Sequence, residues 1–164
     1  MKNLNKKDVP WYGVVWKTLL VTAVLFAFSF TAVNAQTVQV GDGDMTYNYI
    51  PFYYLFEKGY SQTIYTADEL HTAGIKATGG TITTLRYKPT SSRSTSNWKD
   101  WAVYIGTTSK EGFDDGDDWV DSSQLTQVFD GQIADQAVAD EWLEIELDQS
   151  FDWDGNENIV LAVN

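Results

Sequence analysis

Five apolar residues in succession, Ile159 to Val163, constrain the fold of this chain more than any other stretch of the sequence. Side chains of a β-strand point alternately to its two faces, so a strand without polar positions has to be covered on both. Strands of this kind lie inside a sheet, with a hydrogen-bonded neighbour on each side. The segment 158–163 is therefore predicted to be a central strand. If one neighbour had to come from residues after Asn164, the chain ending there would expose a long apolar edge, and residues 36–164 alone would aggregate or be loosely packed.

A second segment, WLEIEL (142–147), has the alternation of a strand with one face in water. Its leucines and isoleucine fall on one side, and its tryptophan and glutamates fall on the other. Further short runs rich in β-branched residues are separated by turn signals, and only 67–70 is predicted as a helical turn. The pattern predicts an all-β fold, an antiparallel jelly-roll-like β-sandwich. The other predicted strands are 37–40, 61–66, 80–89, 101–106 and 125–129. The predicted core includes Ile82, Leu85, Val103, Ile105, Leu143, Ile145, Leu147, Ile159 and Leu161.

The first 35 residues are predicted to be a signal peptide, preceding a single domain over 36–164. Lysines come before an uncharged apolar segment (18–33), and Val33-Asn34-Ala35 places small residues at −3 and −1 of a cleavage site before Gln36. A membrane anchor is disfavoured because that segment is shorter than the about 20 residues that span a bilayer. The mature protein is expected to be secreted or held at the cell surface, with no membrane insertion after cleavage.

The charge balance restricts the partners. The full sequence carries a net charge of −12, and loss of a leader that is rich in lysine makes the remainder more negative still. Without a basic cluster to neutralise phosphates, nucleic acid is excluded as a partner. Because the chain has no cysteine, an exported domain has to rely on core packing, with or without a bound cation, rather than on disulfides.

Catalysis is not predicted. His71 is the only histidine, which leaves zinc without its usual nitrogen ligands, and no G-x-S-x-G motif occurs. His71 is expected to be solvent-exposed in a turn. Glu144 and Glu146 would lie about 7 Å apart on one strand face, a separation that glycosidases also use. Two glutamates that alternate with a core face are more typical of a solvated sheet surface.

Acidic segments raise the question of calcium, which binds carboxylate, amide and carbonyl oxygens held by a sharp turn. Three segments qualify by composition: 41–44, 114–118 and 152–158. None of them matches a complete EF-hand loop. In 152–158 a β-turn is favoured, because Asp, Asn and Gly most often serve turns. For Asp114, Asp115, Asp117 and Asp118, two interpretations stay open: a calcium site, or a solvated loop whose like charges repel one another.

Aromatic residues are abundant and suggest a binding surface. The segment YNYIPFYYLFEKGY (47–60) holds tyrosines and phenylalanines in half of its positions, and tryptophans recur in the later strands and loops. Large rings usually fill the space between two sheets, but exposed rings stack on sugars. Trp119, in the acidic loop, and Trp142, on the polar face of its strand, are the hardest to bury. They are the predicted ligand-binding residues.

The order of the segments resembles a β-sandwich module of exported multidomain proteins of Bacteroidota. The resemblance spans nearly all of 37–164 and is carried by SQTIY, VYIGTTSK and the stretch from VFDG to NIVLAV. In such proteins the module is found among fibronectin type III-like domains, proteases and type IX sorting domains. The family has no catalytic residues to transfer. It also continues beyond the position of Asn164, so the resemblance implies a truncated domain with further domains following it.

The resemblance implies a function as well. It suggests a non-catalytic extracellular binding or adhesion module of a larger protein, whose ligand is a glycan or a protein. The alternative is a structural spacer domain that is accessory to a secreted hydrolase, either a protease or a glycosidase.

Overall fold

Strand pairing is antiparallel throughout the part of the chain that the computed structural model describes, which is residues 35–42, 51, 59–96, 99–133 and 136–164. The elements are β1 (Ser61–Tyr65), α1 (Ala67–Thr72), β2 (Gly80–Tyr87), β3 (Arg93–Ser94), β4 (Trp101–Thr108), a 3-10 turn (Ser122–Gln124), β5 (Thr126–Gly131), β6 (Gln136–Ala137), β7 (Leu143–Trp153) and β8 (Asn158–Val163). The predicted all-β antiparallel fold is confirmed. The predicted signal peptide, apart from Ala35, lies outside the described residues.

The larger sheet has the strand order β1-β8-β4-β5, so the apolar run 159–163 lies in a central strand as predicted. Leu161 is paired with Thr63 on one side and with Ile105 on the other. Both neighbours of β8 come from earlier in the chain. The exposed apolar edge that was expected beside this strand is therefore not formed.

The smaller facing layer consists of β2 and β7. The pairs β1–β8 and β2–β7 are nested, as in a jelly roll. Buried residues of the larger sheet, such as Val103 and Ile159, pack against Trp153 of β7 and against the half-buried Ile82 and Leu85 of β2. All nine predicted core residues belong to the packed core: six are buried, and Ile82, Leu85 and Leu147 are half-buried against it.

The opposite face of the larger sheet is also covered. Val160 and Ala162 have no exposed surface, although their side chains point away from β7. The segment 119–125 lies over this face: Val120 is buried, and Gly106 of β4 is in close contact with the segment, because a Cβ atom there would lie 2.6 Å from the carbonyl oxygen of Gln124. Burial of β8 on both faces thus has two different causes, a sheet on one side and a loop on the other.

The short helix α1 was predicted as a single turn and is slightly longer. Thr66 forms a capping box with Glu69, in which the Thr66 side chain accepts from the Glu69 amide and the Glu69 carboxylate accepts from the Thr66 amide. No helix among the described residues is long and apolar enough to cross a bilayer.

Four predictions about local structure are corrected. Residues 37–40 form no strand. The predicted strands omit Arg93–Ser94, which form the short strand β3 and pair with β6. Strand β7 does not end at Leu147 but continues to Trp153, since Phe151 and Trp153 also bury their rings against the core.

The fourth correction concerns His71, which was expected to be exposed. Its ring packs against that of Trp153 with centroids 5.5 Å apart, and its Nε2 atom is buried. The helix C-terminus carries this side chain inward, over the end of β7.

The turn after β7 is confirmed as a turn. Asp154 Oδ1 accepts from the Asn156 amide at 2.9 Å, and Gly155 has a φ of +86°. Hydrogen bonds from Asn156, first from its backbone, lower the pKa of Asp154. This turn joins two different sheets, because β7 pairs with β2 and β8 pairs with β1 and β4.

Candidate functional site

The two predicted ligand-binding tryptophans are both exposed, but they do not form one site. Trp119 is 45% exposed and Trp142 is 49% exposed. Trp119 belongs to the segment over the outer face of the larger sheet, whereas Trp142 stands directly before β7 in the other layer. The ring of Trp142 contacts no other aromatic ring of a described residue. Trp119 is the one around which a site is built.

Trp119 lies at the centre of an aromatic platform made of Tyr60, Phe113 and Trp119. The Tyr60 ring lies 5.2 Å from the Trp119 ring between centroids, and the Phe113 ring lies 6.1 Å from it. The interplanar angles are 56° and 49°, a tilted packing that the ring quadrupoles favour. Tyr60 is itself 44% exposed. Two of the three rings therefore present large surfaces to solvent.

A single buried amide fixes two members of the platform. Gln62 of β1 is only 6% exposed. Its Nε2 atom donates to the Val120 carbonyl and to the Tyr60 hydroxyl, each at 2.8 Å, and its Oε1 atom accepts from the Val120 amide at 2.9 Å. The Gln62 side chain thus hydrogen-bonds both the carbonyl and the amide of Val120, as the backbone of a neighbouring strand would. Trp119 is held beside β1 because the residue after it is pinned there.

The start of the same loop is anchored by Asn158 of β8. Asn158 Nδ2 donates to the Lys110 carbonyl at 2.8 Å, and Asn158 Oδ1 accepts from the Ala67 amide at 2.8 Å. One side chain therefore ties the loop, the central strand and the first turn of α1 together. The loop 109–125 is fixed at its start, at Val120 and over Gly106.

Two of the four aspartates of 114–118 have carboxylates that accept hydrogen bonds from groups of the loop itself. Asp118 forms an ion pair with Lys110 and also accepts from the Asp114 amide at 3.1 Å. These hydrogen bonds, that from Lys110 first, lower the pKa of Asp118. Asp115 Oδ1 accepts from the Asp117 amide at 2.9 Å. Within the described ranges, no group of three or more acidic, histidine or cysteine side chains is placed to hold a metal ion. The aspartates predicted as calcium ligands are neighbours along the loop but do not converge on one point.

Glu144 and Glu146 occupy the exposed face of β7, as predicted for a solvated surface. Glu144 pairs across the sheet with Arg86, whose Nε donates to the Glu144 carboxylate at 2.7 Å.

An open depression of about 480 Å³ lies beside α1. Its lining includes Glu69, whose carboxylate is already engaged by the Thr66 amide and hydroxyl.

Sequence reasoning identified Trp119 but missed three partners: Tyr60, Gln62 and Phe113. Tyr60 closes the aromatic-rich segment 47–60, so a compositional signal existed. Nothing in the local pattern indicated that β1 and the loop 109–125 would meet.

Comparison with protein-family models, curated proteins and solved structures finds no match to this chain. The resemblance to the Bacteroidota module thus stays a prediction.

Proposed function

We propose that this protein is a non-catalytic binding module of a secreted or cell-surface protein, and that its aromatic platform binds carbohydrate. The observation that carries the proposal is the exposure of Trp119 and Tyr60 in a fixed arrangement. Extracellular location rests on the predicted signal peptide and on the resemblance to exported modules.

The chemistry of sugars matches such a surface. A pyranose presents one face of C–H groups, which packs on an aromatic ring, and a rim of hydroxyls, which need polar partners. Asp114, Asp115 and Asp117 lie in the loop beside the rings and supply hydrogen-bond acceptors. The Tyr60 hydroxyl accepts from Gln62, so its own proton is available to donate to a ligand.

Pre-organisation favours binding over a purely structural role. The Gln62–Val120 pair and the Asn158–Lys110 bond fix the loop before any ligand arrives, which reduces the entropy lost on binding. The exposed part of a large aromatic side chain contributes nothing through burial in the free protein. Its surface is available for a partner.

The test compares two equally exposed tryptophans. The purified protein is screened on a glycan array, and ligands are then titrated calorimetrically with the wild type, Trp119→Ala and Trp142→Ala. We expect Trp119→Ala to weaken binding about thirtyfold, the effect of losing a central aromatic anchor, and Trp142→Ala to bind as the wild type does.

Two outcomes would contradict the proposal. Binding that depends on Trp142 and not on Trp119 would place the site elsewhere. Absence of binding to any glycan would favour the spacer role. Circular dichroism of both variants controls for loss of folding.

A further inference from the structure

The surroundings of the platform are acidic and almost without counter-charge. Between Lys110 and Asp121 the loop holds six acidic residues and one basic residue. That single base, Lys110, is committed to Asp118. No cation of the described residues pairs with Asp114, Asp115 or Asp117, and all three are exposed.

These three aspartates are close neighbours of two ring residues along the chain. Asp114 follows Phe113, and Asp117 precedes Trp119 by two positions, so their Cα atoms lie within about 7.6 Å of those of the ring residues. The Phe113–Trp119 ring contact brings the two ends of the segment together. The carboxylates therefore belong to the short segment that connects two of the three rings of the platform.

Charge complementarity then selects among the carbohydrates that could stack there. An acidic glycan such as a uronate or a sulfated polymer would be repelled by three carboxylates that have no cationic partner among the described residues. A neutral glycan would gain only hydrogen bonds from them. A sugar with a protonated amino group would pair with the carboxylates while its ring lies on the platform, and the ammonium group would also be attracted to the aromatic faces.

We infer that the ligand of this site is a polysaccharide with free amino groups, that is, a deacetylated amino-sugar polymer. The inference rests on the proposed carbohydrate-binding function and adds the class of sugar. The platform takes the ring face, and Asp114, Asp115 and Asp117 take the ammonium groups. Asp118 is not part of this set, because Lys110 already neutralises it.

The test uses two oligosaccharides of equal length that differ only in acetylation: an oligomer of glucosamine and the corresponding oligomer of N-acetylglucosamine. Each is titrated calorimetrically against the purified protein at mildly acidic pH, where the amines of the glucosamine oligomer are protonated. We expect the glucosamine oligomer to bind at least tenfold more tightly. High salt should reduce this preference, because the carboxylates are exposed and their field is screened.

A matched pair of variants separates local from overall charge. Asp114→Asn/Asp115→Asn/Asp117→Asn should lose the preference for the amine. Asp100→Asn/Glu141→Gln/Glu146→Gln removes three exposed charges outside the loop and should keep it.

The outcomes distinguish this inference from the function on which it rests. Equal, Trp119-dependent binding of both oligomers would overturn the amine selectivity and leave the carbohydrate function standing. Loss of preference in both triple variants, or retention in both, would also overturn the selectivity. Failure of every glycan to bind would overturn the function itself.

Discussion

The backbones of Gly79 and Gly155 touch each other. Gly79 lies at the entry to β2 and Gly155 in the turn between β7 and β8, and both have positive φ angles, +72° and +86°. A Cβ atom on Gly155 would lie 2.5 Å from the Gly79 nitrogen, and a Cβ on Gly79 would lie 2.7 Å from the Gly155 nitrogen and would overlap the Trp153 carbonyl oxygen. The turn that connects the two sheets can pack here only because neither residue has a side chain.

The first prediction is that Gly79→Ala and Gly155→Ala each destabilise the protein by about 2 kcal/mol or more, because each adds left-handed backbone strain to a backbone clash. The melting temperature should fall by about 6 °C or more. Gly80→Ala is the control, since a Cβ there meets no atom within 4 Å. An equal effect of Gly80→Ala would show that the contact is not the cause.

The second prediction concerns Gln62. Replacement by leucine approximately keeps the size of the side chain but leaves the Val120 amide and carbonyl without the partners they have in the wild type. We expect a loss of about 2–3 kcal/mol of unfolding free energy, the cost of unsatisfied buried polar groups. Ligand affinity should fall too, because Trp119 is no longer fixed.

Gln127→Leu serves as the control for Gln62→Leu. Gln127 is exposed on β5, and its side chain hydrogen-bonds Asp130 alone among the described residues. Its replacement should therefore change stability by less than about 0.5 kcal/mol. Urea titration of both variants, followed by tryptophan fluorescence, makes the comparison.

The third prediction tests the alternation in β7. Ile145 is 2% exposed, whereas its neighbour Glu146 faces solvent. Ile145→Ala should cost about 2–5 kcal/mol through lost burial and the cavity left behind. Glu146→Ala should stay within about 0.5 kcal/mol of the wild type. Similar costs for the two would mean that the strand does not present the described faces.

The fourth prediction is a pH dependence. The pKa of Asp118 is lowered in the folded protein, chiefly by the hydrogen bond from Lys110. Its contribution to stability is therefore present above the usual carboxyl range, near pH 4, and is lost as the pH falls through the lowered value. Lys110→Met should lower the melting temperature at pH 7, and the difference from wild type should shrink as the pH falls below the usual carboxyl range.

Lys76→Met, at an exposed lysine without an ion pair to any described residue, is the matched control for Lys110→Met. It should show no such pH-dependent difference. A constant difference between Lys110→Met and wild type from pH 7 to pH 2 would mean that the ion pair does not stabilise the loop.

Patterns within single segments predicted most of the fold. The alternation of 142–147 and the apolar run 159–163 each follow from which faces are buried, and burial is recorded locally as the spacing of apolar residues. The end of β7 was missed for a related reason. Asp152 and Asp154 look like a turn, yet the rings of Phe151 and Trp153 gain enough from core packing to continue the strand.

The candidate site is formed by contacts between segments that are far apart in the sequence, and no local pattern predicts such contacts. Trp119 could be singled out because a tryptophan in an acidic loop is hard to bury. Its partner Gln62 reads as an ordinary polar strand residue and acquires its role only when Val120 is placed over it. The prediction that His71 is exposed was wrong for the same kind of reason, since the burial of His71 depends on Trp153, far along the chain.

The position of β8 in the larger sheet determines when that sheet can fold during synthesis of the chain. Among the described strands, β1 pairs with β8 alone, whose residues are synthesised about a hundred positions later. A ribosome-bound chain that has made β1, β4 and β5 still lacks the strand that holds β1 to β4. Such long-range pairing gives a high contact order and slow folding. The larger sheet therefore closes only once residues 158–163 have left the ribosome, and until then no strand of that sheet bridges β1 and β4.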